Sequence, residues 1–267
     1  MNPNADMLSK IIIYIAVMLL LFISFLLALI LNQRKKIQHQ RDIEKLREAQ
    51  QNQLIEAAVR SEETERHRIA ETLHDEVGAI LSSSKLHFLG IKTETMDTKD
   101  KNLHEKGNEL LDEAIKKVRG ISHNLHSSIL KEFGLNEAIS HFMNSITKST
   151  LLKSTITLDE NYTTQNTEND ISIYRMIQEL VNNIMKHAKA TEISITSKYL
   201  NNELDFSIDH DGSGLSQSQF EEMRFKKEGL GLKNIQNRII LLRGGILFTK
   251  DSEGNSIKIK VPVNYPA

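Results

Sequence analysis

The stretch "AETLHDEVGAI", Ala70 to Ile80, sets one histidine, His74, directly before two acids, Asp75 and Glu76. An imidazole is largely neutral near neutral pH, and its unprotonated nitrogen is a nucleophile. A carboxylate that takes the other ring N–H strengthens the attacking nitrogen. On a regular helix positions i and i+1 do not face each other, whereas i−3 does, so Glu71 is a geometric rival of Asp75 for that task. A second group lies in "IQELVNNIMKHA". Glu179, Asn183 and His187 recur every four residues and share one helix face, opposite Ile177, Leu180, Val181 and Ile184. Carboxylate and amide oxygens suit magnesium, which takes few protein oxygens beside phosphates and water. Lys186 and His187 can face phosphate oxygens, although the segment alone also describes an ordinary amphipathic helix. A third group is glycines. In "DHDGSG", after a strand, Gly212 and Gly214 permit a tight turn and close backbone approach to a ligand. In "EGLGLKNI", Gly229 and Gly231 open a helix whose first N–H groups can receive phosphate. Between these turns "LSQSQFEEMRFKK" is polar and charged, as a lid over a nucleotide would be.

These groups need elements to hold them. The first is "IIIYIAVMLLLFISFLLALIL", residues 11–31, uncharged throughout and long enough at about 1.5 Å per residue to cross a hydrocarbon layer of about 30 Å. It is too long for the apolar part of a cleaved signal peptide, and no small-residue cleavage site follows. Arg34, Lys35 and Lys36 come next, against Lys10 and Asp6 before it. The positive-inside rule therefore places residues 1–10 outside as a short tail and the bulk of the chain in the cytoplasm, anchored in the inner membrane. Residues 32–61 read as a helical linker with a weak heptad stripe, Ile43, Leu46, Leu54 and Ala57, and a dimeric coiled coil is expected. Over residues 62–130 two amphipathic helices follow, one with Ile69, Leu73, Val77 and Ile80, the other with Leu110, Ala114, Val118, Ile121 and Leu125, on either side of "KTETMDTKDKN". Two such helices cannot close a core alone, but two hairpins can close a four-helix bundle, so a homodimer is expected.

From about residue 135 to 267 the texture changes. "STITLDEN", "EISITSKYL", "ELDFSIDHDG", "GGILFTK" and "SIKIKVPV" show short β-branched alternation. With the helical runs between them they predict an α/β sandwich, its last strand stopping near Pro262. The fold class is thus multidomain: a membrane helix, an all-α dimeric hairpin and an α/β sandwich domain. Lys plus Arg is 34 against 35 Asp plus Glu, which argues against direct nucleic-acid binding, and the absence of cysteine excludes disulfides and thiolate metal sites. His67, His87, His104, His123, His126 and His141 read as surface or helix-end residues. His123 and His126 are spaced to touch one metal, without a further ligand set.

"ERHRIAETLHDEVGAIL", "NLHSSILKEFGLNEAI", "QELVNNIMKHA", "DHDGSG" and "GLGLKNIQNR", in this order over roughly residues 62 to 264, resemble the bacterial sensor histidine kinases whose partner regulators carry a helix-turn-helix output. The resemblance implies a dimerisation and phosphoacceptor hairpin followed by an ATP-binding domain of the kind shared with gyrase and Hsp90. It implies Mg-ATP as phosphoryl donor, His74 as phosphoacceptor, Asp75 as the acid beside it, Glu179 as the catalytic acid and Asn183 as magnesium ligand. Gly212, Gly214, Gly229 and Gly231 match the glycines around the nucleotide, with Asp211 beside them. The receiving partner is an aspartate in the receiver domain of a separate response regulator.

Three departures carry consequences. His210 stands where the family has an adenine-contacting aspartate, flanked by Asp209 and Asp211, and an imidazole lacks a carboxylate's charge and second oxygen. Weaker ATP binding is expected, unless Asp209 or Asp211 substitutes. Ala79 stands where many relatives carry a glutamine that orients water for dephosphorylation, so phosphatase activity is expected to be weak. "LHSSIL" lacks the proline often found between hairpin and ATP-binding domain, which leaves that joint looser. His210 also keeps open a different function class, a catalytically impaired dimeric scaffold that binds nucleotide or partner without turnover.

Overall fold

The structure is a computed structural model and describes residues 3–94, 96–126, 128–223, 230–250 and 254–263. The chain divides into two compact units, Met1–Leu54 and Ile55–Ala267. Helix α1 runs Pro3–Thr72 without a break, so the expected membrane helix, linker and start of the hairpin are one element. Its composition explains this: neither glycine nor proline occurs between Asn4 and Val77, and Pro3 stands at the first helical position, where its missing N–H is harmless. In the first unit the apolar stretch is long enough to cross a membrane, and Leu20, Phe22 and Phe25 are at least 60% exposed.

The second unit begins with the last turns of α1. They continue through a π-turn, Leu73–Val77, into α2 (Gly78–Leu89), which ends at Gly90. Asp97 caps α3 (Thr98–Leu125) by accepting from Asp100 N–H at 2.7 Å. The hairpin is antiparallel: Ser122 Oγ donates to Ala70 O at 2.9 Å, Lys85 pairs with Asp112, and the His104 ring stacks on Phe88 near the tip. It encloses little by itself. No residue of α2 is buried and Ser122 is the buried residue of α3, while Ile80, Leu86, Leu103 and Leu110 stay 55% or more exposed. This is the outcome expected of two single-striped helices.

A short helix α4 (Ser128–Phe133) and Gly134, with φ of 86°, lead into α5 (Leu135–Ser149). Then come β1 (Lys153–Thr157), α6 (Thr167–Asn183), β2 (Glu192–Leu200), β3 (Glu203–His210), α7 (Gln217–Met223), α8 (Leu230–Leu241), β4 (Gly245–Lys250) and β5 (Asn255–Pro262). The five strands follow the predicted segments, and the last ends at Pro262. They form one sheet in the order β1-β2-β3-β5-β4, with β1 parallel to β2 and the other pairs antiparallel. Asn201 and Asn202, both with positive φ, turn β2 tightly into β3, where asparagine tolerates the left-handed region. Ile193 and Ile195 of β2, Leu204, Phe206 and Ile208 of β3, and Ile257, Ile259 and Val261 of β5 bury one sheet face. They share one core with Ile139 and Met143 of α5, Ile173, Met176, Ile177 and Leu180 of α6, and Ile235 and Ile239 of α8. The alternate strand positions are more exposed, which gives a two-layer sandwich.

Candidate functional site

His74 stands on the π-turn. Gly78 N–H bonds to Leu73 O, five residues back, so the backbone turns fewer degrees per residue and consecutive side chains come closer around the axis. Asp75 Oδ1 is 2.8 Å from His74 Nδ1. Glu71, the rival by regular-helix geometry, faces His67 Nε2 instead, at 3.3 Å. His74 Nε2 has no hydrogen-bond partner among the described residues, and the side chain is 71% exposed. A groove of about 460 Å³ beside it is lined by residues of α1, the π-turn, α3 and α4, including Glu71, Arg119, His123 and His126. None of the described nucleotide-site candidates lines that groove.

The second group is only partly as expected. Asn183 Nδ2 donates to Glu179 Oε1 at 3.4 Å, so acid and amide do share a face. The α-helix stops at Asn183, however, and a second π-turn, Ile184–Ala188, carries Lys186 and His187, both exposed. The four-residue spacing from Asn183 to His187 therefore runs through a π-turn and not a regular α-helix. Lys189 in the left-handed region ends the segment.

The glycines are explained by packing. A Cβ on Gly212 would lie 2.4 Å from Ala188 O and 2.8 Å from Ala190 N, and Ser213 N–H donates to the same Ala188 O at 2.8 Å. The end of β3 is thereby pinned to the π-turn. A Cβ on Gly214 would meet the Asn255 side chain, whose Nδ2 donates to Gly212 O at 2.5 Å. A Cβ on Gly231 would lie 2.0 Å from Glu179 Oε1, so the start of α8 abuts the acid of α6. None of the three requires positive φ; each allows two parts of the site to touch. Gly229 lies outside the described residues, as does the lid sequence from residue 224 onward. The described part of the lid, α7, is anchored by Phe220 stacked on Phe248 and by Phe248 N–H donating to Gln217 Oε1 at 2.9 Å.

His210 ends β3 on the buried face, in line with Leu204, Phe206 and Ile208, and is 7% exposed. Its Nδ1 and the Oδ1 of Asn255, its register partner on β5, are both buried without a hydrogen-bond partner among the described residues. Burial lowers the His210 pKa against the pull of Asp211 and Asp209, so the ring is neutral. The flanking acids have other partners within the domain. Asp211 accepts from Thr191 N–H, Thr191 Oγ and Glu192 N–H, bonds that hold its carboxyl at about 2. Asp209 points to the other face and takes Ser207 Oγ at 3.1 Å.

Four of the remaining histidines form two pairs. His67 Nδ1 and His126 Nδ1 are 3.0 Å apart, and the rings of His123 and His141 are 4.8 Å apart. His123 and His126 thus face different partners, and among the described residues no group of three or more candidate ligands could hold a metal ion. Two buried residues, Arg175 and Arg238, are not visible as such in the sequence. Both sit in runs read for their apolar residues, and no local signal shows that an arginine there is buried.

Comparison with known proteins agrees with this anatomy. Residues 65–130 match the HisKA_3 family model, described as "Histidine kinase", and residues 168–265 match the model described as "Histidine kinase-, DNA gyrase B-, and HSP90-like ATPase". The sensor histidine kinase MctS of Rhizobium johnstonii is 26% identical over 211 residues, 78% of this chain. The chain spans 45% of that relative's length. Among solved structures, the histidine kinase domain of a blue-light activated kinase from Erythrobacter litoralis is 16% identical with a TM-score of 0.46, covering 75% of this chain and 94% of that one. Histidine kinase AdeS of Acinetobacter baumannii is 15% identical with a TM-score of 0.43, covering 73% and 98%. Both segments that carry the chemistry, the hairpin with His74 and the sandwich with the glycines, are matched in order, and the chain belongs to the HisKA_3-type sensor histidine kinases with an ATPase domain of the gyrase and HSP90 kind.

Proposed function

We propose that this chain is a membrane-anchored, homodimeric sensor kinase. In this reading residues 11–31 span the membrane, 32–61 form a coiled-coil linker, 62–130 dimerise and accept phosphate, and 135–267 bind ATP. His74 Nε2 attacks the γ-phosphorus of ATP, the bond to the bridging oxygen breaks, and ADP leaves. Asp75 holds the Nδ1 proton, which keeps the attacking lone pair on Nε2 and balances charge on the ring as the new N–P bond forms. The phosphoryl group then passes to an aspartate of a response regulator. The observation that carries this reading is the His74 Nδ1 to Asp75 Oδ1 bond of 2.8 Å, with Nε2 free, in a chain that also holds an ATPase domain.

The donor set fits a magnesium nucleotide. Glu179 and Asn183 offer oxygens on one face, Gly231 lets the start of α8 pack against Glu179, and His210 and Asn255 end the buried sheet face with unmet polar atoms. Asn183 would hold the ion, which supplies charge neutralisation on the phosphates. Glu179 would polarise the incoming nucleophile, and Lys186, Gly212 and Gly214 would line the phosphate side. Ala79 is exposed and has no group to orient water, which supports weak phosphatase activity. The exposed apolar stripes of α2 and α3 support a second copy as the missing half of the bundle.

Incubation with γ-labelled ATP tests the reading. Acid-labile, base-stable label that disappears in His74→Gln and drops in Asp75→Asn, while Glu71→Gln keeps it, is the expected result. Full labelling of Asp75→Asn with loss in Glu71→Gln would reverse the assignment. Bound nucleotide with no label on wild-type protein would support the scaffold reading, which the buried His210 keeps in play.

A further inference from the structure

His67 of α1 and His126, the C-cap of α3, meet across the base of the hairpin, and the phosphoryl-transfer reading uses neither. Their Nδ1 atoms are 3.0 Å apart and their ring centroids 4.5 Å apart. A straight N–H···N bond of that length would hold the centroids about 5.3 Å apart. Two imidazoles bound side by side on one metal ion would hold them about 4.7 Å apart. The rings therefore stand off the line that a hydrogen bond prefers and close to the spacing of a chelate.

The surroundings suit a cation. His67 Nε2 faces Glu71 Oε1 at 3.3 Å, one turn further along α1. A carboxylate there keeps the ring proton on Nε2 and leaves the lone pair on Nδ1, as it does for histidines that ligate metals. Burial, His67, Lys131 and Arg175 lower the His126 pKa against the pull of Glu71, so this ring too is neutral near neutral pH. Solvent reaches both rings. The His67 side chain is 44% exposed, and His126 lines the groove of about 460 Å³ that also takes in His74.

The separation selects the kind of ion. With metal–nitrogen bonds of about 2.0–2.1 Å, 3.0 Å subtends about 95° at the metal, whereas a tetrahedral zinc needs about 3.3 Å. An angle near 90° is that of tetragonal copper(II) and nickel(II). Among the described residues no group of three or more ligands could hold an ion, so water fills the other positions and the metal exchanges.

We propose that His67 and His126 form a two-nitrogen chelate for a divalent transition metal of tetragonal geometry, copper(II) or nickel(II), at the base of the hairpin. On binding, His126 moves its proton from Nδ1 to Nε2, both Nδ1 lone pairs bond to the ion, and no net proton is released. The site stands apart from the kinase reading and does not depend on it.

The test uses the untagged full chain in detergent micelles, without nucleotide and with excess Mg2+, which occupies oxygen sites and leaves imidazoles free. Copper(II), nickel(II) and zinc are titrated calorimetrically, and pulsed EPR of the copper-loaded protein counts the imidazoles on the ion. Expected is one copper per chain, bound by two imidazoles, with nickel weaker than copper and zinc weaker than copper by about tenfold or more. His67→Gln and His126→Gln, which keep a polar side chain in place, should each weaken copper binding by about tenfold or more and leave a single imidazole. His74→Gln and His141→Gln should change neither quantity. A single imidazole on copper in the wild type overturns the proposal, and that measurement needs no variant to fold. Copper binding unaltered in both His67→Gln and His126→Gln overturns it as well, as does loss of an imidazole in His74→Gln, which would place the ion on the phosphoacceptor. Zinc bound as tightly as copper refutes the tetragonal assignment.

Discussion

Replacing His210 by aspartate gives the sharpest check on the nucleotide site. The side chain is 7% exposed, at the end of the buried face of β3, and its Nδ1 lacks a partner among the described residues. Resemblance to the family places the adenine amine there. A neutral acceptor on that amine contributes about 0.5–1.5 kcal/mol and a charged one about 1.5–3. The difference of about 1 kcal/mol predicts roughly fivefold tighter ATP binding for His210→Asp. Without nucleotide the change is unfavourable, since even a protonated carboxyl buried with no partner costs about 1–3 kcal/mol, which lowers Tm by several degrees in a domain of this size. The pH dependence also changes sign. The His210 pKa is lowered by burial, so as pH falls through about 6.5 the unfolded state takes up the proton first and wild type loses stability. A buried aspartate has a raised pKa, so the variant is most stable in acid and loses stability as pH rises through that value. Calorimetric titration with ATP and thermal melts across pH, with and without nucleotide, measure all three effects. Weaker ATP binding in a folded His210→Asp protein, or melts with the wild-type pH slope, would refute the placement of His210 at the base site.

Gly212→Ala forces a Cβ to 2.4 Å from the Ala188 carbonyl, a backbone atom that cannot swing away, and should destabilise the domain by about 1–3 kcal/mol. Gly120→Ala in α3 meets nothing within 4 Å and should stabilise it by up to about 1 kcal/mol, so denaturant melts of the two should move in opposite directions. Tyr162 donates to the buried Asp170 at 2.5 Å, and Tyr162→Phe should cost about 1–3 kcal/mol. Burial raises the Asp170 pKa, so stability drawn from its neutral form is lost as pH rises, and the deficit of Tyr162→Phe should grow with rising pH in the same melts.

Most of the architecture was legible in the chain because periodicity reports local burial. Five β-branched runs became five strands, and the hairpin stripes became half-covered faces. Glu179 and Asn183 were found together because four residues make about one turn of a regular helix. Residue spacing misleads where the helix is not regular. The π-turns at Leu73–Val77 and Ile184–Ala188 have no signature in residue type, yet the first sets Asp75, and not Glu71, against His74 Nδ1 and the second carries Lys186 and His187.

The features that the sequence determined by itself are therefore local or compositional: the apolar span, the two-helix and five-strand pattern, the histidine beside acids, the acid–amide pair and the glycines. They arise from backbone geometry and the separation of apolar from polar residues, which act over a few neighbours. The tertiary structure alone decided that the glycines serve close packing of one site segment on another, that Asp211 is consumed in holding Thr191 and Glu192, and that His210 faces inward. It alone showed Arg175 and Arg238 gripping Glu63 and Glu62 from 112 and 176 residues away. Contacts of that kind depend on which surfaces meet after folding, and the side chains that make them look, in the chain, like any other charge on a helix.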